Sequence, residues 1–164
     1  FGTGYPGYSS GELGPLVAEP AKEQITQRGL DSSAAKVIAP GNVLVGMYDT
    51  AALKSSIISS PATCNQAIAF SDLADDSVTP EFLYYAIQHQ RTAILNRRRG
   101  IRQKNLNLSM IREIDVPSVT IQESREFSRR VAEVEAQRRK AAYRLRHLNA
   151  LFASLQSRAF RGEL

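Results

Sequence analysis

The densest chemistry in these 164 residues lies where Arg97, Arg98, Arg99, Arg102 and Lys104 crowd together with Gln103, Asn105 and Asn107. Cations at that density neutralise phosphates, and amides among them can hydrogen-bond base edges. Gly100 interrupts the run, which therefore reads as a loop and not as a helix face. Lys54 adds a further phosphate candidate, and Asn65 and Gln66 a second amide pair. The residues alone leave alternatives open. A basic loop can serve solvation only, and Asn65 and Gln66 can satisfy a turn.

Groups for catalysis are scarce. The chain has two histidines, His89 and His147, and one cysteine, Cys64, with no histidine near it in sequence. That excludes an internal disulfide framework and a cysteine metal cage, and Cys64 reads as a small buried residue. No Gly-x-Ser-x-Gly elbow, His-Glu-x-x-His motif or phosphate-binding loop occurs. Gly2, Gly4 and Gly7 have no preceding strand and no following Lys-Ser/Thr. Asp72, Asp75 and Asp76 lack the spacing of a calcium loop. No catalytic residue and no metal site is expected, and the chain reads as a binder.

The net charge of +5 hides an asymmetry. Residues 1–90 carry four Lys/Arg against nine Asp/Glu, and residues 91–164 carry 17 against seven. A basic half beside an acidic half suggests a surface that meets a polyanion, most simply nucleic acid. Solvated faces of a long helix are the alternative for the arginines beyond residue 120. The hydrophobic content of 43% is ordinary for a globular chain, and no run of about 18 apolar residues occurs to span a membrane.

One element must organise the rest. Phe127, Val131, Val134, Ala141, Leu145, Leu148, Phe152, Leu155 and Ala159 recur at steps of four and three, a heptad seam with one break at Arg138. Thr120 with Glu123 forms a capping box at the start, and Gly162 stands where a C-cap belongs. About 40 residues make a rod roughly 60 Å long. Its seam needs a partner: another copy, another protein, or a further part of a longer parent chain. A helix folded back on its own domain is the alternative. Arg138 fits either a register-setting polar residue or a local opening.

Ahead of the rod, residues 1–20 are rich in Gly, Pro, Ser and Tyr and read as loop with at most a short strand. Residues 22–30 read as a short helix or turn ending near Gly29. Strands are expected at Val43–Tyr48, Ser56–Ser59 and Ala67–Phe70, making a small, largely antiparallel sheet or half-barrel. Thr79, Pro80 and Glu81 start a helix that runs to about Asn96. Phe82, Leu83, Ala86, Ile87 and Ile94 should face inward, with Tyr84, Tyr85, Gln88 and Gln90 more outward. Asn107 or Ser109 could cap a short helix through Arg112. Ile114–Val116 reads as a last strand, closed by Pro117.

Five stretches together resemble the DNA specificity subunit of type I restriction–modification systems: ITQRGLDSSAAKVIAPGNVLVGMY (25–48), TCNQAIAF (63–70), FLYYAIQHQ (82–90), GIRQKNLNLSMIREIDVP (100–117) and LFASLQSRAFRGEL (151–164). Their order and spacing cover about residues 22–164. The resemblance implies an α+β chain. A small mixed or antiparallel, β-rich target-recognition domain with flanking helices would occupy 1–118, and one long coiled-coil spacer helix would occupy 119–164.

Members of the family hold two recognition domains, each followed by a long helix, and the helices pack antiparallel as a spacer. Each domain reads one half of a bipartite site. The resemblance therefore implies double-stranded DNA, a modification subunit and a restriction subunit as partners in the cytoplasm, without a membrane. It implies no catalysis and no cofactor in this chain; S-adenosylmethionine, ATP and Mg would belong to the partner subunits. With one domain and one helix, the chain resembles half a subunit, paired with another copy or a second half through Phe127, Val131, Val134, Leu145, Leu148, Phe152 and Leu155. A rod of roughly 60 Å exceeds one DNA turn of about 34–36 Å. Two other readings compete: the recognition tail of a larger single-chain methyltransferase or restriction enzyme, and a coiled-coil adaptor that binds no DNA.

Overall fold

Val43, Leu44 and Val45 head the chain's core because each is almost wholly buried, Val43 and Leu44 at 0% exposure. A strand that is apolar on both faces must be covered on both. The structure, a computed structural model, describes residues 4–73, 77–97 and 105–163 and omits the side chains of Asp49 and Arg97. It contains, in order, β1 (Tyr5–Tyr8), β2 (Glu23–Ile25), α1 (Gln27–Asp31), β3 (Val43–Gly46), β4 (Ser55–Ile57), β5 (Thr63–Cys64), β6 (Ile68–Phe70), α2 (Pro80–Arg97), α3 (Leu108–Arg112) and α4 (Ile121–Phe160). Single 3-10 turns lie at Ser10–Glu12 and Asp49–Ala51. The chain divides into two compact units, Phe1–Arg125 and Glu126–Leu164.

In the first unit the strands form two three-stranded sheets, ordered β2-β1-β5 and β4-β3-β6. The second is wholly antiparallel, with Leu44 opposite Ser56 on one side and Phe70 on the other. The first is mixed: β1 runs antiparallel to β2 and parallel to β5. Successive β3 side chains point to opposite faces. Val43 and Val45 join Met47, Leu53, Ile57, Tyr84, Ile87 and Leu106, while Leu44 joins Tyr8, Leu13, Ile38, Ile58, Ala62 and Ile68. β3 is therefore shared between two clusters.

Several expectations are corrected here. The 22–30 segment is a strand followed by a helix. Its register with β1 places Gln24 opposite Pro6, and the Thr26 hydroxyl then caps α1 by accepting from Gly29 N at 3.1 Å. Gly29 lies inside α1 and does not end it. Ile114–Val116 forms no strand. The Gln90 side chain donates instead to the Asp115 carbonyl oxygen, tying this extended segment to α2.

On α2 the polar residues placed outward turn in. Tyr84 is 8% exposed, and its hydroxyl donates to Gly14 O at 2.9 Å. Tyr85 packs partly against the first cluster, edge-on to Tyr84. Gln88 Nε2 donates to Leu53 O at 3.0 Å and Ser55 Oγ at 3.1 Å. Leu53 is held at φ +58°, a left-handed conformation rare for a bulky residue. The Gln88 bond satisfies its carbonyl there.

The rod begins as the local residues dictate. Thr120 N donates to the Glu123 carboxylate at 2.8 Å, and Glu123 N donates to the Thr120 hydroxyl at 3.2 Å, closing the capping box. Ser124, wholly buried, accepts from Thr79 N at 2.8 Å, so the first turn of α4 is tied to the start of α2. At the far end Gly162 takes φ +70°, Glu163 N donates to Arg158 O and Gly162 N to Ala159 O. Those two bonds are the Schellman pattern.

Candidate nucleic-acid interface

Ladder hydrogen bonds around the end of β3 bring separate candidates together. Gly46 N donates to Lys54 O at 2.8 Å, which sets Lys54 beside the end of β3 on the β4 side. Met47 N donates to Ala67 O at 2.9 Å, which sets the Asn65–Ala67 turn beside it on the β6 side. Leu106 N donates to Met47 O at 2.8 Å, and Leu106 is buried in the first cluster. The exit of the basic loop, with Asn105 exposed next to Leu106, is pinned at the same strand end. Tyr48, directly after it, is exposed.

Arg98, Arg99, Arg102, Gln103 and Lys104 lie outside the described residues, as does the side chain of Arg97, the last residue of α2. Asn107 caps α3, its Oδ1 accepting from Met110 N at 2.9 Å. That oxygen is then committed to the helix.

Asn65 and Gln66 separate in role. Asn65 Oδ1 accepts from Ala67 N at 3.1 Å, and Asn65 N donates to Tyr8 O. Its side chain shapes the turn, which uses one of the two lone pairs of the oxygen that a two-bond contact to adenine requires. Gln66 is exposed at the tip of the same turn, with no side-chain partner among the described residues. Both line an open groove of about 510 Å³ with Ser33, Lys36, Cys64 and Phe70.

Lys36 and Phe70 are additions that residue chemistry alone did not single out. Lys36 is exposed and Phe70 is 44% exposed, so the groove offers a cation, an amide and an aromatic face. That set suits phosphate, base edge and thymine methyl or base stacking respectively. Lys36 is one of four cations scattered through an acidic half, and Phe70 ends a strand. Only the pairing of β6 with β3 and the turn before it shows that they share a groove with Gln66. Cys64 also lines it, but burial pushes its thiol up to about 11, away from a neutral-pH thiolate. No group of three or more His, Cys, Asp or Glu able to hold a metal occurs among the described residues.

In the second unit most of the seam is exposed. Val134, Leu145, Leu148, Phe152 and Leu155 are exposed, Leu148 at 62% and Phe152 at 68%, while Phe127 and Val131 are half-buried. Arg138, at the break, bonds Glu135 at 2.8 Å along its own helix. Arg129 pairs with Glu126 and Glu133, and Arg130 with Glu126. The bonds from Arg129 and then Arg130 draw the Glu126 carboxyl down to about 2.

No protein-family model matches the chain. Among solved structures, it is similar to the HsdS subunit from Thermoanaerobacter tengcongensis, with 19% identity and a TM-score of 0.64 over 99% of this chain and 39% of that one. It is also similar to a chain from a structural study of complex assembly and conformational transition of the type I R-M system. There the identity is 20% and the TM-score 0.63, over 99% of this chain and 40% of that one. The chain thus spans about two fifths of the length of the solved chains it matches, and what it shares with them is the fold.

Proposed function

We propose that this chain is a DNA-recognition half of a type I restriction–modification specificity subunit. The observation that carries the proposal is the gathering of Lys54, Gln66, Asn105 and the exit of the arginine-rich loop at the end of β3. Fold likeness alone does not settle function, so the site must. In this reading the end of β3 and the groove beside it read the bases of one half-site. Lys54, Arg97, Arg98, Arg99, Arg102 and Lys104 neutralise phosphates, with Gln66, Gln103 and Asn105 at base edges.

The exposed seam of α4 pairs with a second rod, supplied by another copy or by a second half. The paired subunit then reads a bipartite site and docks the modification subunit. The chain performs no chemistry itself: methyl transfer from S-adenosylmethionine and the steps that need ATP and Mg belong to the modification and restriction subunits.

Selection from a random duplex library, with the chain and its modification subunit together, tests this. Two short blocks at a fixed gap are expected. Inverted copies of one block would identify two copies of this chain, and unrelated blocks a different second half. A folded, partnered chain that enriches nothing at low salt would overturn the proposal.

A further inference from the structure

The two stretches of α4 differ in charge. Glu123, Glu126, Glu133 and Glu135 all precede Ala136. Between Ala136 and Gly162 there is no acidic residue, against seven Lys/Arg. Upstream, Arg129 and Arg130 each bond a glutamate of the same helix; at the two ends of the carboxylate-free stretch Arg138 bonds Glu135 and Arg161 bonds Glu163. Downstream, Arg139, Lys140, Arg144 and Arg146 form no ion pair among the described residues, and all are exposed. Helix stability does not explain this, because Lys140 and Arg144 stand four apart, a like-charge spacing that works against the helix.

The heptad frame shows which cations can reach a second rod. With Leu145 and Phe152 at a, and Ala141, Leu148 and Leu155 at d, Arg144 and Arg158 fall at g, beside the seam. Arg139, Lys140, Tyr143, Arg146 and His147 fall at b, c and f, the positions furthest from any partner helix. Tyr143 is 57% exposed and meets the His147 ring edge-on at 4.2 Å, so both rings lie on this outer face. The corresponding upstream positions alternate sign (Arg125, Glu126, Arg129, Glu133) and carry no comparable field.

We infer that this outer face, centred on Arg139, Lys140, Tyr143 and Arg146, docks on the phosphate backbone of duplex DNA without reading sequence. Three cations and a phenol hydroxyl are phosphate donors, and no base-reading amide stands among them. Arg139 to Arg146 spans about 10 Å, which matches roughly three base-pair steps of backbone. An acidic protein surface is the competing partner. The absence of any carboxylate from Ala136 to Arg161 favours a polyanion of uniform charge. The inference rests on the DNA-binding reading of the chain and adds a second contact to it.

The test compares the parent chain with R139Q/K140Q/R146Q on one duplex carrying the selected site, at several salt concentrations. Gln keeps helix propensity, and circular dichroism and solution mass confirm folding and pairing. Three lost phosphate contacts should lower the slope of log affinity against log salt by about 2.7. Base preference should be unchanged. R139K/R146K, which keeps the charges, should retain the parent slope. A parent slope in the triple variant would overturn the inference and leave the proposed function standing. So would an unchanged slope with loss of the modification subunit, which would assign the face to an acidic protein. A parent that binds no duplex would overturn both.

Discussion

Replacing Leu145 and Leu148 together by Lys should abolish the pairing proposed for α4. In the chain alone these side chains are 59% and 62% exposed, so a partner has most of each still to cover. Full burial of a leucine stabilises by about 1.5–3 kcal/mol, and roughly six tenths of that is about 1–2 kcal/mol per side chain. Two leucines from each rod give about 4–7 kcal/mol across the pair. That corresponds to about three to five decades in the association constant. Lys also adds cations to a stretch that already holds seven without a carboxylate. Sedimentation equilibrium reads the outcome for two copies: where another copy supplies the second rod, the parent should run at twice 18.1 kDa at micromolar concentration and the double variant at 18.1 kDa. Circular dichroism should stay helical. A double variant that still runs at twice 18.1 kDa would refute the assignment of this seam as the pairing surface.

Further outcomes follow from single contacts. Tyr84→Phe removes the donor to Gly14 O and should cost about 0.5–1.5 kcal/mol in urea unfolding, with the fold retained. A Cβ at Gly46 would collide with the Ala51 carbonyl oxygen, so Gly46→Ala should cost about 1–3 kcal/mol by the same measurement. The Glu126 carboxyl is held below its ordinary 4.5, near 2, by Arg129 and Arg130. Its contribution to α4 is therefore present above pH 4.5 and lost as pH falls toward 2. Helix content followed by circular dichroism should drop across that window, and Glu126→Gln should flatten the drop.

The elements legible in the sequence are those whose signals are local. The four-three spacing from Phe127 to Ala159, the Thr120–Glu123 box and Gly162 all lie within or beside α4. The Thr79-Pro80-Glu81 start of α2 is of the same kind. The short strands are different. β1 contains Pro6 and Gly7, spans four residues and pairs with β5, more than fifty residues away. Nothing near Tyr5–Tyr8 announces that partner. Tyr84 and Gln88 turn inward for a related reason. Their polar atoms are satisfied inside by Gly14, Leu53 and Ser55, which a helical-face argument does not include.

The candidate site divides the same way. Lys54, Gln66 and Asn105 were recognisable as residue types. Their meeting place follows from β3 pairing with β4 and β6 and from the Leu106 bond to Met47. The turn bond of Asn65 and the groove positions of Lys36 and Phe70 depend on that pairing too.

The most direct test of base reading at the end of β3 is parallel selection from a random duplex library with the parent chain and with Gln66→Ala, each with the modification subunit. The same two blocks and gap are expected for both, with preference relaxed in the variant by about 1–3 kcal/mol at one position of this chain's block. An identical block from both proteins, or a change confined to overall affinity, would contradict base reading there.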